Sequence, residues 1–220
     1  MLSIVQGETL GPCVLEGEFV RLEPLKENHL DELVEAGKGF DWAWMSMDLT
    51  TSAAMSHFIE SALAKQREGV EYPLVVRYKQ TNKIVGSTRY MDVNSSQKGV
   101  EIGWTWYSPQ VWGTVVNPEC KYLLLKHAFE DWKAIRVYLK TDNYNLHSQR
   151  AILKLGAKFE GMLRNHRIRR DGTYRHTMVY SILPEEWVDV KAGLLKRIDY
   201  LQKRSTPQST GSMNSYESVQ

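Results

Sequence analysis

The sequence predicts an α+β fold, in which a mixed, mostly antiparallel sheet is flanked by helices. Three observations carry this prediction: three strand-like segments in meander order, a strand–helix–strand–helix passage after them, and a strong hairpin signal near the end. The meander favours antiparallel neighbours, and the alternating passage implies parallel or mixed pairing. With 220 residues, 42% of them hydrophobic, the chain is long enough for one sizeable core.

The N-terminal third predicts one strand and two helices. Apolar and polar residues alternate over residues 15–25, and Pro24 ends this strand. A short helix is expected over residues 27–36. A second helix over residues 51–67 begins at a Thr-Ser pair of the N-cap type and carries its apolar residues on one face.

The middle of the chain supplies the meander and the start of the alternating passage. Strands are expected over residues 72–79, 83–93 and 100–107, with turn-forming segments between them. A helix over residues 118–132 and a strand over residues 135–141 follow.

The C-terminal third predicts a capped helix and a hairpin, followed by one more helix. Asn145 can cap a helix that Gly156 ends. The Asp-Gly pair at positions 171 and 172 is a hairpin turn between strands over residues 158–169 and 174–183.

Composition narrows the domain count and the function class. We expect a single domain over residues 1–201 and a disordered tail over residues 202–220. A net charge of +2 argues against a general nucleic-acid binder. Cys13, Cys120 and the six histidines show no metal-ligand spacing, so no metal is expected. The chain shows neither a signal segment nor a membrane-spanning apolar stretch, which predicts a cytoplasmic protein with no membrane partner.

A loop over residues 112–117 is the most informative stretch. A predicted strand runs into a Gly-containing turn and then directly into an amphipathic helix. The unpaired N–H groups of the helix start would point at one spot, which suits an anion such as a pyrophosphate. Val115 stands where a second glycine is expected, and a β-branched residue resists a positive φ.

The order of the elements and four short segments resemble the GNAT superfamily of acetyl-CoA-dependent N-acetyltransferases. The segments are Leu22-Glu-Pro-Leu, Glu101-Ile-Gly-Trp, Trp112-Gly-Thr-Val-Val-Asn and the run over residues 145–161. The resemblance covers about residues 16–183 and is closest to the branch that contains the ribosomal-protein N-terminal acetyltransferases. It implies acetyl-CoA as acetyl donor, a primary amine as acceptor, and a GNAT-like sheet with a C-terminal hairpin and an extra C-terminal helix.

In this family a loop of the form Gln/Arg-x-x-Gly-x-Gly/Ala binds the pyrophosphate through backbone amides. The resemblance assigns that role to Trp112, Gly113, Thr114, Val115, Val116 and Asn117. The competing interpretation is an ordinary strand–helix turn without a ligand. Val115 replaces the central glycine, and it is compatible with the role if its φ stays negative and its methyl groups point away from the phosphates.

The resemblance also implies which groups move protons. Glu101 would help to deprotonate the acceptor, because a protonated amine cannot attack a thioester. The alternative is a solvated carboxylate that pairs with Lys98 or Arg89. Ser148 would protonate the leaving thiolate, and Tyr144 is a rival acid because a phenol has the more suitable proton.

Five further side chains are candidates for contact with the cofactor or the acceptor. Asn145 would contact the pantetheine arm of the cofactor, and a plain helix cap is the alternative role. Lys154 could meet a cofactor phosphate or remain solvated. Trp42 and Trp44 could line the acceptor pocket or pack in the core, and Trp106 could pack on the sheet face, against pantetheine.

The predicted hairpin concentrates basic residues. Alternation divides them between two faces, which favours a solvated hairpin; the alternative is docking to an acidic partner or to ribosomal RNA. These residues are Arg164, His166, Arg167, Arg169, Arg170, Arg175 and His176.

The function that these residues predict is direct acetyl transfer from acetyl-CoA to a primary amine. The acceptor is a protein N-terminus or a small molecule, and the enzyme is a monomer or a homodimer. Two other classes stay open. One is a non-catalytic acyl-CoA-binding or regulatory protein, and the other is a structural scaffold without a cofactor, which Val115 motivates.

Overall fold

One mixed sheet organises the computed structural model, which describes residues 10–205. Within these residues its eight strands are β1 Leu15–Glu16, β2 Val20–Pro24, β3 Tyr72–Tyr78, β4 Lys83–Asn94, β5 Gly99–Tyr107, β6 Arg136–Asp142, β7 Lys158–Ile168 and β8 Tyr174–Ile182. The α-helices of the same residues are α1 Leu30–Ala36, α2 Ser52–Arg67, α3 Val116–Lys126, α4 Leu146–Leu155 and α5 Trp187–Ser205. The strands lie in the order β1-β2-β3-β4-β5-β6-β8-β7, and every neighbouring pair is antiparallel except β5 and β6.

The predicted fold class is confirmed, because the meander β3-β4-β5 and the hairpin β7-β8 both form. Thr51 caps α2, since its hydroxyl oxygen accepts a hydrogen bond from the Ala54 N–H at 3.1 Å. Gly172 has a φ of +83° in the hairpin turn, a conformation that favours glycine. Within residues 10–205, no helix is long and apolar enough to cross a bilayer.

The N-terminal strand prediction is wrong in one respect, because residues 15–25 form the two-stranded pair β1-β2 instead of one strand. Their turn is held by Glu119 of α3, whose carboxylate accepts the N–H groups of Glu18, Phe19 and Val20 at 2.7, 2.8 and 2.7 Å. A Cβ at Gly17 would lie 2.7 Å from the Glu119 carboxyl carbon, so only glycine fits there. This contact spans about a hundred residues of sequence, and local alternation does not reveal it.

Several helix boundaries also differ from those predicted, since α1 begins at Leu30 instead of residue 27 and α3 ends at Lys126 instead of residue 132. α3 begins at Val116 instead of residue 118, so Pro118 lies inside the first turn, where its missing N–H has no intrahelical acceptor to lose. α5 continues to Ser205, four residues into the predicted tail. The rest of that tail, residues 206–220, lies outside the described residues.

Helices cover both faces of the sheet. α1 and α2 lie on one face, over a core that includes Phe58 and Trp106. α3, α4 and α5 lie on the other face, over a core that includes Val116, Leu155 and Trp187. Both faces therefore exclude water, and ligands must enter at an edge or an opening of the sheet.

Such an opening lies between β5 and β6. The two strands pair only over Gly99–Glu101 and Arg136–Tyr138, and beyond these residues each continues without the other. The register of β4 and β5 shifts in the same region, and Trp104 there has a positive φ of +48°. The two strands therefore leave a wedge-shaped gap between them, which the backbone of β5 borders. The helices that follow β5 and β6 both start at the wide end of this gap, called the wedge below.

Candidate active site

The loop between β5 and α3 directs backbone amides toward the wide end of the wedge. Gly113 has a φ of +73°, while a Cβ at this position would meet open space. The positive φ, and not crowding, is therefore what requires glycine. The Thr114 hydroxyl donates to the Val111 carbonyl at 2.7 Å and accepts from the Val116 N–H at 3.3 Å, which fixes the loop.

The backbone of Val115 meets the first of the two conditions, a negative φ. Its φ is −67° and its ψ is −17°, which is ordinary helical backbone, and its side chain is only 5% exposed. A β-branched residue is unstrained in this conformation. The departure from the family's glycine therefore causes no backbone strain in the loop.

Two N–H groups at the start of α3 have no acceptor within residues 10–205, namely those of Val115 and Asn117. Pro118 carries no N–H at all. Unpaired amides at a helix start, together with the helix dipole, make this end of the loop favourable for a phosphate oxygen.

Four tryptophans with predicted ligand contacts divide into two exposed and two buried side chains. Trp112 is 56% exposed, and its Nε1 donates to the Tyr107 carbonyl at 2.9 Å, which ties the loop to the end of β5. Trp44 is 44% exposed. Trp42 and Trp106 are 3% and 1% exposed, with ring centroids 5.1 Å apart. Their side chains pack in the core, so the core alternative for Trp42 and the sheet-face packing of Trp106 are confirmed, and a ligand contact of either stays a prediction.

The start of α4 brings three of the predicted residues together. Asn145 Oδ1 accepts from the Ser148 N–H at 2.9 Å, so the predicted helix cap is confirmed. Tyr144 is exposed, with the Arg169 guanidinium 4.9 Å above its ring. Lys154 lies in the last turn of α4, about 12 Å along the axis from the helix start. The structure therefore places Lys154 away from this group.

Glu101 lies where β5 and β6 begin to diverge. It is 8% exposed, and its Oε2 lies 2.8 Å from the Lys140 ammonium of β6. The predicted alternative partners were Lys98 and Arg89, and neither of them pairs with it. As expected from strand alternation, Gly103 lies on the same side, since a Cβ there would lie 3.2 Å from Glu101 Oε1.

A cavity of about 240 Å³ adjoins Glu101 on the face that α2 covers. Side chains of both signs line it, from α2, from the segment before β3, from β6 and from β7: Lys65, Glu71, Lys140 and Arg167. Burial and the nearby cations Arg167 and Lys140 lower the pKa of His166, which marks a positive potential on the β7 side. The cavity has the size of a small amine or a peptide terminus, and it holds a carboxylate.

Two of the hairpin arginines form ion pairs with carboxylates outside the hairpin, which a fully solvated hairpin would not show. Arg169 forms a bidentate pair with buried Asp142, at 2.7 and 2.9 Å. Burial alone would raise the pKa of Asp142, but the hydrogen bonds from Arg169 hold it below its ordinary value. Arg175 Nε lies 4.0 Å from the same carboxylate and has no hydrogen-bond partner in the described chain. Arg170 pairs with Asp48 at 3.1 Å, which links the hairpin to the segment before α2.

Two lysines near the wedge were not identified from the sequence. Lys140 contacts Glu101 as described, and Lys121 of α3 donates to Thr105 of β5 at 3.0 Å. Lys121 follows Asn117 by four residues on a helix, a spacing that places both on one face and could have revealed it. No local pattern distinguishes Lys140 from other strand lysines.

Comparisons with known proteins identify the family of the chain. The Acetyltransferase (GNAT) domain family matches residues 20–158. A GCN5-related N-acetyltransferase from Brucella melitensis has 26% identity and a TM-score of 0.80, over 86% of each chain. A candidate acetyltransferase from T. thermophilus has 35% identity and a TM-score of 0.75, over 85% of this chain and 97% of the other.

More distant structures share the fold alone. RimJ of Mycobacterium smegmatis, in complex with CoA-disulfide, has 19% identity and a TM-score of 0.69, over 84% of this chain and 92% of the other. The search of curated proteins gives no match. Because the family match covers more than half of the sequence and the T. thermophilus protein shares 35% identity, the chain belongs to the GNAT family of acetyltransferases.

Proposed function

We propose that the protein transfers the acetyl group of acetyl-CoA to a primary amine. The single observation that carries this proposal is the pair of unbonded amides at the start of α3, next to a strand whose edge is open. A pyrophosphate fits the amides of Val115 and Asn117, and an extended arm fits the open edge of β5. Acetyl-CoA has both parts, and it supplies an acetyl group activated as a thioester.

Glu101 is the residue that would accept the proton of the acceptor. The buried carboxylate lies at the narrow end of the wedge and borders the cavity. Its partner Lys140 occupies the place beside the carboxylate that an acceptor ammonium would take. An incoming amine therefore competes with Lys140 for Glu101, and only a neutral amine can attack.

We assign the group that protonates the departing thiolate to the start of α4, where Ser148 and Tyr144 are both candidates. Asn145 would orient the arm while its Oδ1 caps the helix. Backbone N–H groups of the open part of β5 would stabilise the oxyanion.

The acceptor is proposed to be a protein N-terminus, in accordance with the sequence resemblance to the ribosomal-protein branch. A small-molecule amine is the alternative. Release of the CoA thiol, measured over a panel of peptides and amines, tests both. Release that depends on a peptide with a free N-terminus supports the proposal, and release only with small amines assigns the alternative.

The ion pair between Glu101 and Lys140 favours a second candidate function, a non-catalytic acyl-CoA-binding protein. If Lys140 stays paired with Glu101 when an amine is present, acetyl-CoA would raise the melting temperature of the protein without any release of the CoA thiol. Thiol release with any amine of the panel contradicts this second function.

A further inference from the structure

Lys121 is a partly buried lysine on α3, the helix that begins at the predicted pyrophosphate site. Its side chain crosses from α3 to β5, where Nζ donates to Thr105 Oγ1 at 3.0 Å. That hydroxyl also shares a hydrogen bond with the buried Thr88 at 2.8 Å. Thr105 belongs to the part of β5 that has no β6 neighbour, so the amine lies beside the wedge.

The charge of Lys121 is not balanced by the surrounding protein. Among the ion pairs of residues 10–205 none includes it, and Thr105 accepts only one of the three hydrogens of an ammonium group. The ionisable groups that face it are Cys120 and, beyond it, Tyr107. Both are neutral, because burial raises the pKa of the thiol to about 12 and that of the phenol well above its ordinary value.

Burial without a carboxylate lowers the pKa of the Lys121 amine to about 8. A partly buried cation with unused donors gains from an additional acceptor. Thr105 leaves two N–H groups of the ammonium for such an acceptor.

We propose that Lys121 binds the arm of the acetyl-CoA donor, through hydrogen bonds from its ammonium group to an amide carbonyl oxygen of that arm. The inference rests on the proposed function, since it assumes this donor. The arm is chosen over the diphosphate because Thr105 lies within the strand, whereas the unpaired amides lie beyond its end, at residues 115 and 117.

Proton uptake is the signature of this contact. An oxygen acceptor favours the charged amine, so donor binding raises the pKa of Lys121. At pH 8 the free protein holds the proton about half of the time and the complex holds it fully, so binding takes up about half a proton. At pH 6 both states are protonated, and Lys121 contributes no uptake.

Calorimetric titration with CoA, in two buffers of different ionisation enthalpy, measures both affinity and uptake. Lys121→Met should weaken CoA binding about tenfold or more and remove the pH 8 component of uptake. Lys126→Met, at the exposed end of the same helix, is the matched control and should change neither. Thr105→Val removes the hydroxyl that positions the amine and should weaken binding about threefold.

The outcomes separate this inference from the proposed function. A wild-type protein that does not bind CoA contradicts the proposed function itself. Wild-type binding with equal affinity and uptake in Lys121→Met contradicts the role of Lys121 alone. An equal loss of affinity for 3′-phospho-ADP, which lacks the arm, assigns the contact to the diphosphate and overturns the proposal. The melting temperature of Lys121→Met should not fall, because a partly buried charge without a carboxylate partner is removed.

Discussion

The two ends of the wedge are built in different ways. At the wide end, consecutive residues of one loop present backbone amides, and the side chains of the loop serve mainly to hold its shape. At the narrow end, Glu101 pairs with Lys140 of β6 and shares a cavity with side chains from α2 and β7 that are far apart in the sequence. A backbone site tolerates unusual residues such as Val115, whereas a side-chain site depends on each of its members.

The largest effect is expected at the narrow end. Glu101→Gln should lower kcat/KM about a hundredfold, because general base catalysis typically contributes at least this much. The control is Glu160→Gln, which alters an ion pair with Arg136 of β6 at the surface and should leave the rate unchanged. A wild-type kcat/KM in Glu101→Gln would remove Glu101 from the mechanism.

The second effect tests whether the wide end needs the family's central glycine. Val115→Gly should lower the free energy of unfolding by about 2 kcal/mol, because it deletes a buried side chain from helical backbone. Affinity for CoA should not improve. Tighter CoA binding by this variant, measured by calorimetry, would show that Val115 does obstruct the phosphate site.

A third, smaller effect concerns Gly113. Gly113→Ala forces a Cβ into a positive φ, which costs about 1 kcal/mol, and should weaken CoA binding severalfold. Gly69→Ala is the matched control, because Gly69 has a φ of +74° and open space around it but follows α2. Both variants should lose similar stability in urea unfolding, and only the first should lose affinity. Equal affinities in the two would mean that the loop does not bind CoA.

The smallest effect separates the two roles of Asn145. Asn145→Ala should lower the free energy of unfolding by about 1 kcal/mol through loss of the cap. Asn145→Asp keeps the acceptor oxygen and should keep most of this stability, yet lose CoA affinity about threefold if the amide nitrogen contacts the arm. Wild-type affinity in Asn145→Asp would leave the residue only a structural role.

The contrast between the two ends also explains what the sequence could reveal. Gly113, Pro118 and the Asn145 cap act within a few residues of themselves, so local chemistry predicts a turn, a helix start and a capped helix at these positions. The splitting of the first predicted strand depends on Glu119, about a hundred residues away, and was therefore missed.

Side-chain partners follow the same rule. The alternation of β5 placed Glu101 and Gly103 on one side correctly, but the partner Lys140 comes from a strand that only the tertiary fold brings close. Trp42 and Trp106 have an aromatic surface that suits a pocket wall and a core equally. Only the packing of α1 and α2 on the sheet decides that both are buried.

A crystal structure with bound CoA tests the central claim most directly, because that claim concerns where the donor lies. We expect the diphosphate oxygens within hydrogen-bond distance of the Val115 and Asn117 N–H groups, and the arm along the part of β5 that β6 leaves unpaired. A diphosphate bound away from the start of α3, or an arm outside the wedge, would contradict the account.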